Sequence, residues 1–213
     1  MWDDATLGLR LGARLGASVR AALADTPLPA TELTPGERAR FAALAGTARA
    51  ASWLRGRAAL RRLLGSDSDT ADVAFPCARL SLSHSAELAL AIRVEGVAGV
   101  GVDLETRRLS MAQAERWRSS ARMFATVAER QWLERAPEGL EAALLRLWTL
   151  KEAVFKADGG NAGRVLGDYA IEDPSRRDGD AVVRCDPQLR VRYASLGEPG
   201  AMLAAAVRRG RAW

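Results

Sequence analysis

The sequence predicts an α+β fold made of two similar α+β halves, residues 1–97 and 98–213. Three observations carry this expectation. Helix-periodic segments fill residues 33–65, and from residue 78 the pattern changes to alternating or continuous apolar β-formers. After a further strand within 97–105, the same succession of helices and then strands returns. No identity between the two halves is evident.

Residues 5–24 read as an Ala-rich amphipathic helix, whose Gly8, Gly12 and Gly16 spacing suggests close packing on a neighbour. Within LTPGERAR (33–40), Thr34 starts a helix, Pro35 fits its first turn and Glu37 completes a capping box. A helix follows, and another runs through SWLRGRAALRRLLG to Gly65. ARLSLSHS and LALAIRVEG form two paired strands about a turn at Ala86 and Glu87, and GVAGVGVDLE forms a third. Helices are expected near 110–123, at 127–135 behind a second capping box (Thr126, Glu129), and at 139–157, stopped by Gly159 and Gly160. Asp168 to Arg208 reads as three or four strands.

Composition removes several classes. The net charge is +5 and 48% of residues are apolar, so the chain can bury a core and falls in the globular range. No run approaches the ~20 apolar residues of a membrane-spanning helix. The first twenty residues carry acids ahead of an apolar part that contains Arg10 and Arg14, the reverse of a signal peptide, so a cytoplasmic location is expected. Cys77 and Cys185 lack ligand spacing and are expected to be small core residues. The basic balance admits a nucleic-acid partner, but the arginines are spread along the chain with few aromatics between them.

The rare residues carry the chemistry. Among the Lys and Arg residues only Lys151 and Lys156 are lysine, and His84 is the one histidine. Asp103 and Glu105, two apart on a strand, project from one face and suggest a hard cation such as Mg²⁺; the alternative is a strand running into a loop with Arg107 and Arg108 as counterions. On the helix LEAALLRLWTLKEAVFKADGG, Leu144, Leu147, Trp148, Val154 and Phe155 define an apolar arc with Lys151 in its middle, where a lysine needs an anion. Glu152 is either a third carboxylate for the Asp103 and Glu105 site or a surface ion-pair partner of Lys156. His84, with serines on both sides, is a phosphate ligand or a structural residue. Arg57 and Arg61, four apart on one helix face, clamp a phosphate or are solvated. Neither a Walker sequence nor GxGxxG occurs, and no nucleophile can be assigned.

GVGVDLE (99–105) together with WTLKEAVFK (148–156) closely resembles the paired signatures of the 4′-phosphopantetheinyl transferases. SLSHS, GRAALRRLLG and LTPGER fall in the order of the larger, pseudo-dimeric Sfp-type class, and the likeness covers about residues 33–166. The resemblance implies a monomer with an internal pseudo-twofold and an active site in the cleft between its halves. It implies that the enzyme transfers phosphopantetheine from coenzyme A to a serine of an acidic acyl, peptidyl or polyketide carrier protein, releasing 3′,5′-ADP. The missing nucleophile is then that serine, and no nucleic acid or membrane is needed. Asp103, Glu105 and Glu152 become the magnesium ligands, and Lys151 and Lys156 contact the pyrophosphate. His84 and Arg57, with Ser83 and Arg61 beside them, take the ribose phosphate; Glu152, or a water held by Glu105, is the base, assisted by Lys156. GSDSDTADVAFPCARL departs from the family in having no lysine where a Gly-Lys-Pro-like segment is usual, and the first 30 residues are shorter and more helical than its usual opening strand. A coenzyme A-binding protein that has lost transfer is the alternative.

Overall fold

A computed structural model describes residues 2–106, 108–198 and 200–210. In chain order they form α1 (Asp4–Leu15), β1 (Val19–Ala24), α2 (Pro35–Ala42), α3 (Arg49–Leu64), β2 (Leu80–His84), β3 (Ala89–Val94) and β4 (Gly99–Glu105). There follow α4 (Met111–Ser120), α5 (Val127–Leu133), α6 (Leu140–Ala157), β5 (Tyr169–Ile171), β6 (Asp178–Val183), β7 (Asp186–Glu198) and β8 (Ala201–Arg208). No helix among the described residues is long and apolar enough to cross a membrane.

The single helix expected over 5–24 is instead a helix and a strand. Gly16 takes a left-handed conformation (φ 63) and returns its N–H to Gly12, which ends α1; Val19–Ala24 then pairs with β3. Alanine is the best helix former, but local propensity is a weak prior, and six residues of strand pairing outweigh it. The glycine spacing does mark close packing, but against the chain's own next segment: a Cβ on Gly8 or Gly12 would lie 2.8 Å from the carbonyl oxygen of Val19 or Ala17. β1 is thus a strand within residues expected to be helical.

The strands form two antiparallel sheets, ordered β1-β3-β2 and β4-β8-β7-β6-β5. α3 covers one face of the first sheet through Ala59, Leu60 and Leu63. The other face, through Leu90, Ile92 and Val94, shares a core with α1 and with Val100, Val102, Leu203 and Ala205 of the second sheet. α6 covers the far face of the second sheet, where Leu144, Leu147 and Val154 meet Tyr193, Ala204 and Ala206.

The edge strands β2 and β4 lie side by side and parallel, joined by side chains in place of a backbone ladder. Ser81 Oγ accepts from Val102 N at 3.0 Å, Ser83 Oγ accepts from Leu104 N at 3.2 Å, and Thr106 Oγ1 donates to Ser85 Oγ at 2.9 Å. The alternate serines of SLSHS therefore satisfy edge amides that would otherwise be buried without partners.

Both capping boxes form, and each glutamate has a second task. Glu37 is fully buried; it pairs with Arg61 and accepts from Thr70 Oγ1 at 2.6 Å and Thr34 N at 3.1 Å. Burial alone would raise its pKa, but the Arg61, Thr70 and Thr34 hydrogen bonds prevail and bring it from 4.5 to about 2. A depressed carboxyl contributes stability above its unfolded pKa and loses it as pH falls through the folded value. Acid melts followed by circular dichroism are expected to steepen between pH 4.5 and about 2, and Glu37→Gln to flatten that limb while lowering stability at pH 7. An unchanged limb would remove Glu37 as its source.

The cysteines are not core residues: Cys185 is exposed next to the β6–β7 turn and Cys77 is half-buried in the loop before β2, both free. α6 stops one residue before the two glycines, at Asp158, whose carboxylate accepts from Gly160 N at 3.0 Å.

Candidate active site

Alternate residues of β4 make two different surfaces. Val100, Val102 and Leu104 enter the core shared with the first sheet, leaving Gly99, Gly101, Asp103 and Glu105 on the α6 side. A methyl group at position 99 or 101 would overlap the carbonyl oxygens of Ala157 and Ala153, so only glycine lets the α6 backbone lie directly on the strand. That approach brings the last turns of α6, with Glu152 and Lys156, beside the two acids.

Lys156 Nζ lies 2.6 Å from Asp103 Oδ1 and donates also to Val102 O at 3.2 Å. Asp103 is only 7% exposed, and Ser83 Oγ donates to the same Oδ1 at 2.9 Å. Glu152, one turn before Lys156, is half-buried. Burial raises its pKa above the ordinary carboxylate range; Lys156 opposes that rise, and Asp103 and Glu105 add to it. Asp103 and Glu105 are thus close enough to hinder the ionisation of Glu152, which an added cation would relieve. His84 is exposed at the end of β2. Partial desolvation of its ring, followed by the charges of Lys156 and Arg55, nonetheless holds its pKa below 6.5.

Among the described residues no three acidic, imidazole or thiol groups yet surround a common point as a preformed metal cage. The donor set still suits a hard divalent ion, because all three side chains offer carboxylate oxygens and the two acids of β4 disfavour the charge on Glu152. Arg107 lies outside the described residues, and Arg108 lies beside Gly200.

Four residues expected to contact phosphates have partners elsewhere. Lys151 does meet an anion in the apolar arc, but that anion is Glu129 of α5, at 2.7 Å, with both side chains wholly inaccessible. Lys151 also donates to Tyr169 O, so in this structure it is a buried strut between α6, α5 and β5, away from the three carboxylates. Its position in the middle of the arc, which required an anion, equally turns it away from solvent. Arg61 pairs with Glu37, and Arg57 is 6% exposed and donates to Thr70 O at 2.6 Å. The shared helix face of these arginines meets the first turn of α2 and the loop before β2, and both arginines are engaged within the chain's own structure. Ser83 is buried and acts on Asp103.

Sequence reasoning missed Arg55, whose Nη1 donates to Ala86 O at 2.6 Å and steadies the hairpin beside His84. It also missed an apolar cavity of about 610 Å³ next to Glu152, walled by Trp117, Phe124, Trp148 and Phe155 with Arg164 at its rim. Trp148 packs against Trp117 and edge-on to Phe124, with centroids 5.5 and 5.3 Å apart. The concentration of aromatics on α4 and α6 in a chain with few was the available signal.

Comparisons with known proteins bear on this geometry. The sequence model of a family described as ACPS, 4'-phosphopantetheinyl transferase superfamily, matches residues 99–206, just over half of the chain and the stretch from β4 to β8. Proteins named 4'-phosphopantetheinyl transferase AcpT, from Salmonella typhi and from Salmonella typhimurium strain LT2, are each 36% identical over 128 residues, covering 55% of this chain. The match spans 64% of the length of each of these relatives. With a family match running through the strand that carries Asp103 and Glu105 and the helix that carries Glu152 and Lys156, the chain belongs to the 4'-phosphopantetheinyl transferase superfamily.

Proposed function

We propose that this protein transfers the 4′-phosphopantetheine moiety of coenzyme A to a serine of an apo acyl, peptidyl or polyketide carrier protein, with Mg²⁺, releasing 3′,5′-ADP. The observation that carries the reading is the meeting of Asp103 and Glu105 from β4 with Glu152 and Lys156 from α6, beside His84. Asp103, Glu105 and Glu152 would hold the ion. When bound, Mg²⁺ neutralises charge developing on the phosphates.

Glu152 is suited to take the serine proton, since burial gives it a higher basicity than an ordinary carboxylate. The serine oxygen forms a bond to the β-phosphorus of coenzyme A, the bond from that phosphorus to the oxygen bridging it to the α-phosphate breaks, and 3′,5′-ADP departs with the bridging oxygen. Lys156 offers a mobile point charge to the pyrophosphate oxygens. His84, uncharged at neutral pH, offers a ring N–H to the ribose phosphate. The apolar cavity beside Glu152 fits the uncharged pantetheine arm in size and polarity.

We extend the reading to the Sfp-type, pseudo-dimeric arrangement, with halves 1–97 and 98–213 and the site in the cleft between them. The strand orders support it: β1-β3-β2 matches β4-β8-β7, all antiparallel. Thr-x-x-Glu-Arg also opens a helix at 34–38 and again at 126–130, and each buried glutamate holds a cation of the next long helix, Arg61 or Lys151.

Intact mass of several apo carriers after incubation with coenzyme A and Mg²⁺ tests the function. A phosphopantetheine adduct is expected; coenzyme A binding without an adduct on fatty-acid, polyketide and peptide carriers would make this a binding protein. His84→Ala is expected to weaken coenzyme A by about tenfold, as loss of a charge-assisted hydrogen bond would, and 3′-dephospho-coenzyme A hardly at all. Calorimetry reads both affinities, and equal losses would return His84 to a structural role.

A further inference from the structure

We propose that Lys156 is a built-in counter-cation on Asp103 that a divalent ion must displace, so that the metal binds tightly only after a phosphate ligand has drawn the ammonium away. This rests on the transferase reading of the site. The ammonium lies 2.6 Å from Asp103 Oδ1, the same oxygen that accepts from Ser83 Oγ at 2.9 Å. Asp103 is 7% exposed and fixed in a strand, so it cannot turn toward an incoming ion while keeping both partners. Lys156 is the movable member: its side chain is 30% exposed and it stands in the last turn of α6. A metal ligated by either oxygen of Asp103 would lie close to Nζ on the same small carboxylate, and the two cations would repel each other.

The residue type supports the device. Apart from Lys151 and Lys156 every Lys or Arg position in the chain is arginine. Arginine would lock a carboxylate through its planar fork, whereas lysine on a flexible stem can exchange one anion for another. A pyrophosphate gives Nζ that alternative, and Asp103 is then free for the ion. By linkage, coenzyme A tightens the metal by the same factor as the metal tightens coenzyme A. The empty protein meanwhile keeps its buried aspartate paired instead of leaving it as an isolated charge.

Mn²⁺ titrations read by the resonance of the free ion, with and without saturating coenzyme A, test this on the whole chain. Wild-type protein is expected to bind Mn²⁺ weakly alone and at least ~10-fold more tightly with coenzyme A. Lys156→Met, which removes the competing charge and retains much of the stem, is expected to bind Mn²⁺ alone ~10-fold more tightly than wild type, with less further tightening from coenzyme A. Lys156→Gln is expected to follow it, and thermal melts verify that both variants are folded. If Mn²⁺ alone binds these variants no better than wild type while Asp103→Ala abolishes binding, the counter-cation inference falls and the metal site stands. If Asp103→Ala leaves Mn²⁺ binding to the coenzyme A-loaded protein unchanged, the metal-site reading itself fails.

Discussion

Lys151→Ala is expected to destabilise the protein by about 3–5 kcal/mol, the usual cost of leaving one member of a buried ion pair alone. The reason is Glu129. It is fully buried, receives Lys151 at 2.7 Å, accepts from Ile171 N at 2.7 Å, and closes the capping box of α5 through Thr126 N at 2.6 Å. Without the lysine an ionised carboxylate remains in the core, and protonating it would give up charge-assisted bonds that hold α5 to β5. Urea denaturation should record the loss, with a fall in melting temperature of roughly 10 °C for a chain of this size. Combining Lys151→Met with Glu129→Gln is expected to recover much of it, since the amide oxygen still accepts from a backbone N–H and no charge is stranded. If Lys151→Ala keeps wild-type stability and instead loses coenzyme A affinity, Lys151 is a phosphate contact after all.

That pair illustrates where the sequence ceased to be informative. A lysine at the centre of an apolar helical arc must meet an anion, and periodicity alone revealed this. The identity of the anion depended on how α5 packs, because α5 and α6 are separate segments whose angle no local rule supplies. Thr34-x-x-Glu37 and Thr126-x-x-Glu129 were likewise readable as caps, being contacts within four residues. The long-range partners of the same glutamates, Arg61 and Lys151, were not. β1 was hidden for a related reason. An Ala-rich segment locally prefers a helix, and pairing with β3 overrode that preference.

The site was legible to the extent that it was periodic. Asp103 and Glu105 lie on one face by strand alternation, and glycines at 99 and 101 on that same face mark where a helix backbone can touch. Residues whose side chains turned inward, Arg57 and Ser83, were read as ligands because charge and hydroxyl groups do not announce their burial. In both cases the polar group serves a residue of its own chain: Arg57 a carbonyl of the loop before β2, Ser83 the carboxylate of Asp103. The short helix α4 became part of the cavity through its single aromatic residue, Trp117, which packs against Trp148 of α6.

Glu152→Gln is expected to reduce carrier modification by at least ~10²-fold, the usual loss on removing a general base, while leaving the fold at least as stable. The two effects have one cause. Burial raises the Glu152 pKa, with Asp103 and Glu105 adding to the rise and Lys156 opposing it, so the ionised carboxylate is disfavoured in the folded protein. A group with a raised folded pKa contributes stability below its unfolded value and loses it as pH rises through the folded value. At neutral pH the ionised form is therefore a liability, and a neutral amide of the same shape removes it. The melting temperature should equal or exceed that of wild type at pH 7, with the advantage disappearing in acid, where Glu152 is itself protonated. Coenzyme A should still bind through Lys156 and His84, though with less help from Mg²⁺. An ordinary ion pair with Lys156 predicts the opposite pattern, a small loss of stability of a few tenths of a kcal/mol and nearly intact turnover. That alternative is already weakened by the ammonium's position on Asp103. A Glu152→Gln protein modifying carrier at near wild-type rate would remove Glu152 as base and leave any metal to Asp103 and Glu105.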